Sequence, residues 1–428
     1  MNKPLFRGRI HYGWIVVAVT FLGMLGAAGV RSTPGVLMLP LEHEFGWDRA
    51  TISLAVSINL ALFGLCGPFA AAVMERIGMR ATMTGALLLL ATATGLTRWI
   101  SAPWHLYVLW GLLVGIGSGS LAGWVAATVS NRWFVARRGL VVGILSVANA
   151  TGQLIFLPSL ASVTAAGGWR SAILVVSGGA LLVAPLVIGF VRNYPRDVGL
   201  LPYGADPGFE PVRPQHSGNP FAAAMKTLWR CAANRDFLLL AGTFAICGLT
   251  TAGLIGTHLI PASVEHGLPE VTAASFLAVI GVVDVFGTLI SGWLSDRVDC
   301  RKLLAWYYGL RGLSLIFLPY AYEMGVPALM LFIVFYGLDW VATVPPTVRL
   351  ASDLFGKQNA GRVYGWIYAA HQLGAAVAAS GAGYLHNLFG SYTPSFMIAG
   401  VICFVATLMS LKISSAAPGE SLAMASSD

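Results

Sequence analysis

Charged residues are scarce in this chain: Asp, Glu, Lys and Arg make up 10% of its 428 residues, whereas apolar residues make up 57%. The mean hydropathy is +0.74. A soluble domain needs far more charge on its surface than this. The composition therefore excludes an ordinary soluble protein and predicts an integral membrane protein.

Cysteine and enzyme motifs are also scarce. The five cysteines have no CxxC spacing and no histidine cluster beside them; they are Cys66, Cys231, Cys247, Cys300 and Cys403. We therefore expect neither disulfides nor a metal site. The chain has no phosphate-binding glycine loop and no recognisable nucleophile and base. We expect no enzymatic activity and no cofactor.

No appended soluble module is visible. The one long polar segment, 193–235, is rich in proline and is predicted to be a cytoplasmic linker. Residues 413–428 are rich in Ser and Ala, which predicts a disordered cytoplasmic tail. The first apolar stretch contains Arg31 and lacks a small-residue cleavage site. It is therefore predicted to be a permanent span and not a signal peptide.

Apolar runs of about 20 residues recur along the chain, each long enough to cross a hydrocarbon layer of roughly 30 Å as a helix. Helices are expected because backbone groups in lipid must be satisfied locally. The predicted spans are 12–38, 50–73, 81–101, 104–129, 139–163, 170–191, 236–262, 270–294, 302–322, 326–349, 360–384 and 390–412. The predicted fold class is thus an all-α membrane protein with twelve transmembrane helices.

The formal net charge of +8 is unevenly placed. Cations gather at the N-terminus, the linker and the loops after even-numbered spans; they include Arg76, Arg80, Arg132, Arg137, Arg138, Arg297, Arg301 and Lys302. Retained loops collect Lys and Arg on the cytoplasmic side. We therefore expect both termini in the cytoplasm, a multi-pass protein of a bacterial inner membrane, and no nucleic-acid partner. We also expect a monomer.

An internal repeat divides the chain. Three glycines recur at a single offset of 222 residues: Gly139, Gly143 and Gly152 match Gly361, Gly365 and Gly374. Glu75-Arg76 recurs as Asp296-Arg297 at an offset of 221. Related halves around a central site are a common construction of secondary transporters. We predict two pseudo-symmetric six-helix bundles, at 1–192 and 236–412.

The repeated loop segments also carry a family resemblance. The segment from Glu75-Arg76 to Arg80 and its counterpart from Asp296-Arg297 to Arg301 resemble the loop motif of the major facilitator superfamily. This resemblance implies the fold of that superfamily. It also implies that the acid and the following cations bridge helix ends in one gating state. The candidate gating residues are Glu75, Arg76, Arg80, Asp296, Arg297 and Arg301.

A narrower resemblance involves Gly13-Trp14 and the stretch from Trp133-Phe134 through Gly139 to Gly152. These residues resemble the monocarboxylate-porter and oxalate/formate-antiporter branch. Arg31-Ser32 lies where that branch has a Lys-Ser that is implied to meet the substrate carboxylate. Asp284 resembles the branch's proton-binding aspartate. An arginine follows that aspartate in the branch, but Thr288 stands at this position here.

Four ionisable residues well inside the predicted spans are the strong candidates: Arg31, Asp284, Arg311 and Asp339. A charge near the bilayer centre costs several kcal/mol unless it faces a cavity or a partner, so such residues are functional candidates. The planar guanidinium of Arg31 suits a carboxylate. Its alternatives are a structural pair with an acid and a place at an outer gate. Burial disfavours a charged carboxylate, so Asp284 is the first proton-coupling candidate.

Asp339 is the second proton-coupling candidate, because the tenth span mixes this acid with Trp340, Pro345 and Pro346. Trp340 is predicted either to line the cavity or to be a packed core residue. A replacement cation for the branch's missing arginine could be His258 or Arg311, and Arg311 is also a proton-coupling candidate together with the two acids. Alternatively, His258 packs in the core and Arg311 pairs with Asp339.

Further polar residues lie at repeat-related or central positions. His371-Gln372 corresponds to Asn149-Ala150 of the first half at the same offset of 222. The candidate binding residues of this group are His371, Gln372, Asn149, Asn59 and Trp124. Their alternative role is hydrogen bonding between helices.

These features predict proton symport of a small organic anion, a carboxylate, by alternating access across the lipid bilayer. The alternative in the same fold is proton-coupled efflux of amphiphilic or drug-like compounds. A membrane sensor or scaffold is the third possibility. Paired membrane charges of both signs favour the first function.

Overall fold

The computed structural model describes residues 11–206, 220–356 and 360–415. In these ranges the helices form twelve segments of membrane-spanning length, which confirms the predicted fold class. Spans 1 to 6 are Tyr12–Phe45, Arg49–Ile77, Met79–Trp99, Pro103–Trp133, Arg138–Gly167 and Trp169–Phe190. Spans 7 to 12 are Arg235–Glu265, Glu270–Ser295, Cys300–Met324, Val326–Leu338 with Val344–Phe355, Ala360–Phe389 and Thr393–Leu411.

The spans differ in how apolar they are. Among the described residues, eight helical segments are long and apolar enough to cross a membrane. Spans 9 and 10 are not among these eight. Arg311 lies in span 9 and Asp339 in the interruption of span 10. Both side chains are buried inside the helix bundle, as expected for charges at membrane depth.

Short turns join the spans, and local signals fix their ends. Gly46 (φ 65°) and Gly78 (φ 90°) end spans 1 and 2 with a positive φ that L-residues rarely adopt. Asp48 caps span 2, because its Oδ1 accepts from the Thr51 amide at 2.7 Å. Asp299 caps span 9 in the same way, accepting from the Arg301 amide at 2.9 Å.

Packing separates the spans into two halves that meet along two seams. In the first half, span 1 packs on spans 5 and 6, span 2 on span 4, and span 3 on span 6. In the second half, span 7 packs on span 11, span 8 on span 10, and span 9 on span 12. The halves touch mainly where span 2 meets span 11 and where span 5 meets span 8.

The helix bundle has two faces. The terminal face carries the ends of the described chain near residues 11 and 415; the distal face, opposite it, carries the turn between spans 1 and 2. Large apolar side chains stand exposed around the bundle, among them Leu182, which is 75% exposed, and Leu289. This apolar surface is suited to lipid.

The linker and tail are partly described. Helix Pro220–Ala232 lies within the predicted linker 193–235 and packs against spans 2 and 11, one from each half. Residues 207–219 and 416–428 lie outside the described residues. The first residues of the predicted tail are anchored, since Arg301 donates to the Ile413 carbonyl and the Ser414 amide donates to Asp236. The predicted domain boundaries stay predictions.

Candidate functional site

Spans 1, 4, 7 and 10 are each irregular near the middle of the helix. Span 1 is interrupted at Ser32, span 4 at residues 120–123 and span 10 at residues 339–343. Span 7 widens into π-type turns over Leu249–Ile255. Such irregular backbone is tolerated at membrane depth only where protein or water satisfies the freed polar groups. The four irregularities therefore mark the depth at which a polar site is expected.

Arg31 ends the first helix of span 1 and points to the seam between the halves. Its guanidinium carbon lies 4.3 Å from the centroid of the Phe63 ring in span 2, a cation–π contact. Arg31 also interacts electrostatically with Tyr368 of span 11, in the other half. The predicted substrate cation is thus placed where both halves contribute side chains.

Aromatic rings surround this cation. Tyr368 meets Phe63 edge to face at 6.2 Å and stacks on His371 at 5.7 Å with an interplanar angle of 4°. Phe244 of span 7 lies 4.7 Å from the His371 ring. An organic solute at this seam would therefore meet apolar ring faces beside the charge of Arg31.

His371 and Gln372 supply polar atoms without a partner at the same seam. His371 Nδ1 and Gln372 Oε1 are buried and have no hydrogen bond to any of the described residues. Gly64 lets Gln372 approach, because a Cβ at that position would lie 2.5 Å from Gln372 Cβ. Buried polar atoms are nearly always paired in a closed protein, so these two atoms are suited to a bound solute or water.

Arg311 and Asp339 form a buried ion pair within the second half. Arg311 Nε donates to Asp339 Oδ2 at 2.6 Å, and both residues are less than 10% exposed. Arg311 Nη1 donates to Cys247 Sγ at 2.9 Å, and Nη2 donates to the Asp339 carbonyl. The predicted pairing of these two charges, one of two alternatives for Arg311, is present. Within the described part of the chain, Asp339 Oδ1 has no hydrogen-bond partner.

Asp284 lies on span 8 and faces the interruption of span 10. Its Oδ1 accepts from the Val341 amide at 2.8 Å and from Thr288 Oγ1 at 3.0 Å. Thr288 lies at the position where the resembled branch has an arginine. Its hydroxyl donates to Asp284, which lies one helical turn earlier. Asp284 and Arg311 thus satisfy the amide and carbonyl groups that the interruption frees.

Three other candidates bond inside the protein. Both ring nitrogens of the fully buried His258 contact protein atoms, Nδ1 the Tyr392 hydroxyl at 3.1 Å and Nε2 the Ala379 carbonyl at 2.8 Å. Asn59 donates to the Trp110 carbonyl, and Trp124 Nε1 to the Gly119 carbonyl. In this conformation these side chains tie helices together, and their predicted binding roles stay predictions.

Trp340 and Asn149 complete the predicted set. Trp340 is half-buried in the interruption of span 10, where its ring meets Tyr336 edge to face at 5.8 Å. This position is compatible with either of its two predicted roles. The side chain of Asn149 lies outside the described residues.

The candidate gating residues of the second half bond within that half. Asp296 pairs with Arg349, Arg297 lies over Trp293 at 4.2 Å, and Arg301 Nη2 bonds to Asp299 Oδ2 at 2.6 Å. The Arg301 hydrogen bonds hold the pKa of Asp299 below its usual range. Asp296 therefore has its partner on span 10, as an acid that joins helix ends should.

In the first half, the loop after span 2 is partly described. The Arg80 amide donates to Asn193 Oδ1 at 3.0 Å, and Arg76 is exposed. The side chain of Glu75 lies outside the described residues. The predicted bridging role of this copy of the motif stays a prediction.

Sequence reasoning missed Phe63, Tyr368 and Arg349 as partners of candidate residues. Tyr368 had an available signal, because it lies one helical turn before His371 and Gln372 and so shares their face of span 11. Phe63 had none, since an aromatic residue in an apolar span is ordinary. Arg349 lies 53 residues from Asp296, and only packing brings them together.

Comparisons with known proteins agree with this architecture. The sequence profile described as Major Facilitator Superfamily matches residues 20–379, with a second match over residues 285–425. Monocarboxylate transporter 12-B of Danio rerio is 24% identical, covering 94% of this chain and 87% of the relative. Monocarboxylate transporter 13 of Rattus norvegicus is 28% identical, covering 91% and 86%. The uncharacterized MFS-type transporter YcxA of Bacillus subtilis is 27% identical and covers 92% of each chain.

Solved structures share the fold. A bacterial homolog of the human lysosomal transporter Spinster, crystallised inward-facing and unoccupied, aligns with a TM-score of 0.73 at 17% identity, covering 96% of this chain and all of that one. A D-xylose–proton symporter aligns with a TM-score of 0.74 at 16% identity, with the same coverage. With these matches over nearly its whole length, the chain belongs to the major facilitator superfamily and is a membrane transporter, not an enzyme.

Proposed function

We propose that the chain moves a small organic anion, a carboxylate, together with a proton by alternating access of its two halves. The observation that carries this proposal is the position of Arg31. This cation lies at the seam between the halves, beside aromatic rings and two polar atoms without partners. The names of the monocarboxylate transporters among the relatives support a carboxylate as the solute.

Arg31 would bind the carboxylate, and the second half would complete the site with Tyr368, His371 and Gln372. A guanidinium can offer two parallel N–H groups to a carboxylate, which fixes its orientation. Because the two halves contribute different parts of the site, binding depends on how close they are. This dependence is what couples a bound solute to rocking of the halves.

Asp284 would carry the proton. Asp339 has the Arg311 cation as its counter-charge. Among the described residues, Asp284 has hydrogen bonds from an amide and a hydroxyl but no cation within salt-bridge distance. A buried carboxylate without a counter-charge is neutralised most readily by a proton. We therefore assign proton coupling to Asp284 and a supporting structural role to the Arg311–Asp339 pair.

A proton also solves the energetic problem of anion uptake. Moving one negative charge against a negative interior costs about 2.3 kcal/mol per 100 mV. A proton carried with the anion cancels this charge. Uptake then depends on the proton gradient and not on the membrane potential.

The terminal face would be cytoplasmic in an inner membrane. Arg76, Arg80, Arg297 and Arg301 all lie at that face, as expected for loops retained on the cytoplasmic side. The distal face then faces outward, so a solute taken up would enter from that side.

The function is tested in liposomes that contain the full chain and a pH-sensitive dye. Small mono- and dicarboxylates are added under an imposed proton gradient. We expect at least one acid to move protons into the lumen, Asp284→Asn to abolish this movement, and Arg31→Gln to raise the KM more than tenfold. Arg170→Gln, a distal-face change outside the site, is the matched control.

Two outcomes would contradict the proposal. In the first, no acid moves protons, while amphiphilic cations do, which would indicate drug-like efflux. In the second, Asp284→Asn and Asp339→Asn both leave proton-coupled uptake unchanged.

A further inference from the structure

A groove opens on the outer surface of the first half, near the terminal face and away from the two seams between the halves. Its volume is about 460 Å³, and ligand sites in proteins usually measure roughly 300–1,000 Å³. Span 3 forms most of its wall, while Ile77 at the end of span 2 and Asn193 after span 6 complete it. All of these elements belong to one half, so the groove is separate from the Arg31 site.

The long wall of the groove is one face of span 3. Arg80, Thr84 and Leu88 are spaced four residues apart and so share this face, which extends over about 12 Å at 1.5 Å per residue. Arg80 lies at the start of the span, whereas Leu88 lies two turns further into the membrane and is 40% exposed. Gly85 keeps the groove open, since a Cβ there would meet nothing within 4 Å. The groove therefore has a charged end near water and an apolar end beside lipid.

The charged end lacks the acid that its repeat counterpart has. Arg80 corresponds to Arg301 of the second half at the offset of 221 residues. Arg301 bonds to Asp299, but the first half has Gly78 at the equivalent position. The Arg80 guanidinium forms no hydrogen bond or ion pair with any described residue, and its only bonded group is the backbone amide, which donates to Asn193. An anion from outside the chain can therefore take the place of the missing carboxylate.

The hydroxyl of Thr84 adds a second polar group to the groove. Thr82 and Thr92, on the same span, each donate to the backbone carbonyl four residues earlier, at 2.9 and 2.7 Å. In contrast, Thr84 Oγ1 is buried and has no partner among the described residues. Because buried polar atoms are nearly always paired in a folded protein, this hydroxyl is suited to an oxygen of a molecule bound in the groove.

The surroundings of the groove favour an anion with an apolar body. Segments 75–80 and 192–197 border the groove and contain four arginines and two acids. One of these acids, Asp197, already accepts from the Tyr194 amide at 3.0 Å. A small soluble anion would pair with Arg80 but would leave the apolar surface at Leu88 uncovered. An amphipathic anion satisfies both ends.

We propose that this groove binds an anionic phospholipid, whose phosphate pairs with Arg80 and whose acyl chain lies along Gly85 and Leu88. Basic pockets beside transmembrane helices are known to hold acidic lipid head groups. The site goes beyond the proposed function, because it requires neither a solute nor a proton. Since its lining residues all belong to the first half, the lipid can stay bound while the halves rock.

Native mass spectrometry of the full-length protein in detergent tests the site. Phosphatidylglycerol and phosphatidylcholine with identical acyl chains are added separately, and the dissociation constant of the first bound lipid is measured for each. We expect the wild type to bind phosphatidylglycerol at least about fivefold more tightly, which is the contribution of one arginine near a membrane surface. Arg80→Gln should reduce this preference to less than about twofold.

Two pairs of variants separate the charged end from the apolar end. Arg301→Gln is the matched control for Arg80→Gln, because this arginine already has its acid, and it should retain the preference. Gly85→Leu should weaken the binding of both lipids by filling the groove. Gly179→Leu, at another site in the first half where a Cβ meets nothing within 4 Å, should bind both lipids as the wild type does. Gly85→Leu replaces Arg80→Gln if that variant does not fold.

The proposal is overturned if the wild type binds the two lipids equally, or if Arg80→Gln retains the full preference. Glycerol phosphate, which has the charge of the head group without acyl chains, should not displace bound phosphatidylglycerol. Displacement at an equal concentration would assign the groove to a soluble anion and would also overturn the proposal. Asp284→Asn should leave lipid binding unchanged, so that a failure of the proposed transport function is distinguished from a failure of this site.

Discussion

The protein contains two arginine clusters that differ in one respect: whether their partners lie in the same half. Arg311 bonds to Asp339 and Cys247, and all three belong to the second half. Arg49 bonds to Glu42 in its own half and to Glu265 and His386 in the other. In the proposed alternating-access cycle, the first cluster persists unchanged when the halves rock. The second must break each time the distal face opens.

This difference predicts different energetics. A charge cluster inside one half can be dry and strongly bonded, because it never has to separate during transport. A cluster between the halves must be weak enough to open on the timescale of transport. The structure agrees with this expectation, since the side chains of Glu42 and Glu265 are about a third exposed whereas that of Arg311 is fully buried.

The largest effect should follow from breaking the cluster within the half. Arg311→Met leaves the Asp339 carboxylate buried without its counter-charge, which should lower the free energy of unfolding by about 3–5 kcal/mol. Thermal unfolding of the purified protein in detergent measures this change. The double variant Arg311→Met/Asp339→Leu should recover most of the loss, because it removes both buried charges together.

Arg49→Met is the matched comparison for Arg311→Met. It should lower stability much less, because solvent reaches Glu42 and Glu265, and should instead favour the open distal face. Equal destabilisation by the two substitutions would contradict the distinction between the clusters.

Two glycines on span 11 provide a test of the seam between the halves. We expect an effect of intermediate size from substitution of one of them. A Cβ at Gly383 would lie 2.7 Å from Ser53 Oγ and 2.9 Å from the Arg49 carbonyl, whereas a Cβ at Gly381 meets nothing within 4 Å. Gly383→Ala should therefore disfavour the closed distal face by about 1–3 kcal/mol. The distance between spin labels at Ser101→Cys and Met324→Cys, exposed distal positions in opposite halves, measures this shift in a Cys66→Ala background. Gly381→Ala should leave them unchanged, and a similar shift in both variants would refute a steric cause.

The smallest effect should come from a half-buried pair near the protein surface, Arg301 and Asp299, within one half. Arg301 holds the pKa of Asp299 low, so this pair stabilises the fold at neutral pH, and the contribution is lost as the pH falls through that lowered pKa. Asp299→Asn should cost about 0.5 kcal/mol at pH 7 and nothing once the carboxyl is protonated. Unfolding midpoints of both proteins across the acidic range measure this difference. If the stability cost of Asp299→Asn does not vary with pH, the cost arises from a weaker helix cap and not from the lost charge.

Much of the fold could be predicted from the sequence. Long apolar runs gave the twelve spans, since a helix that crosses a membrane needs a minimum length of apolar chain. Helix ends were less certain, because span 2 extends to Ile77 where the apolar pattern ends at residue 73. The last turn of that helix contains Arg76, and a cation at a helix end is stable in water.

The site was predicted in part. Arg31, Asp284, Arg311 and Asp339 stood out because charge is expensive in lipid. The sequence left open whether Arg311 pairs with Asp339, and the structure shows this pair. The sequence contained no sign that His386 and Arg49 meet, since these residues are 337 positions apart.

By itself, the sequence determined the number of spans, the division into related halves and the residues whose charge needs compensation at membrane depth. These properties follow from local chemistry, because hydropathy and charge act on each segment separately. The tertiary structure alone decided which charges meet, which lie within one half and which join the two. Partners that are distant in the chain come together only when helices pack, and packing depends on the shapes of whole helix surfaces.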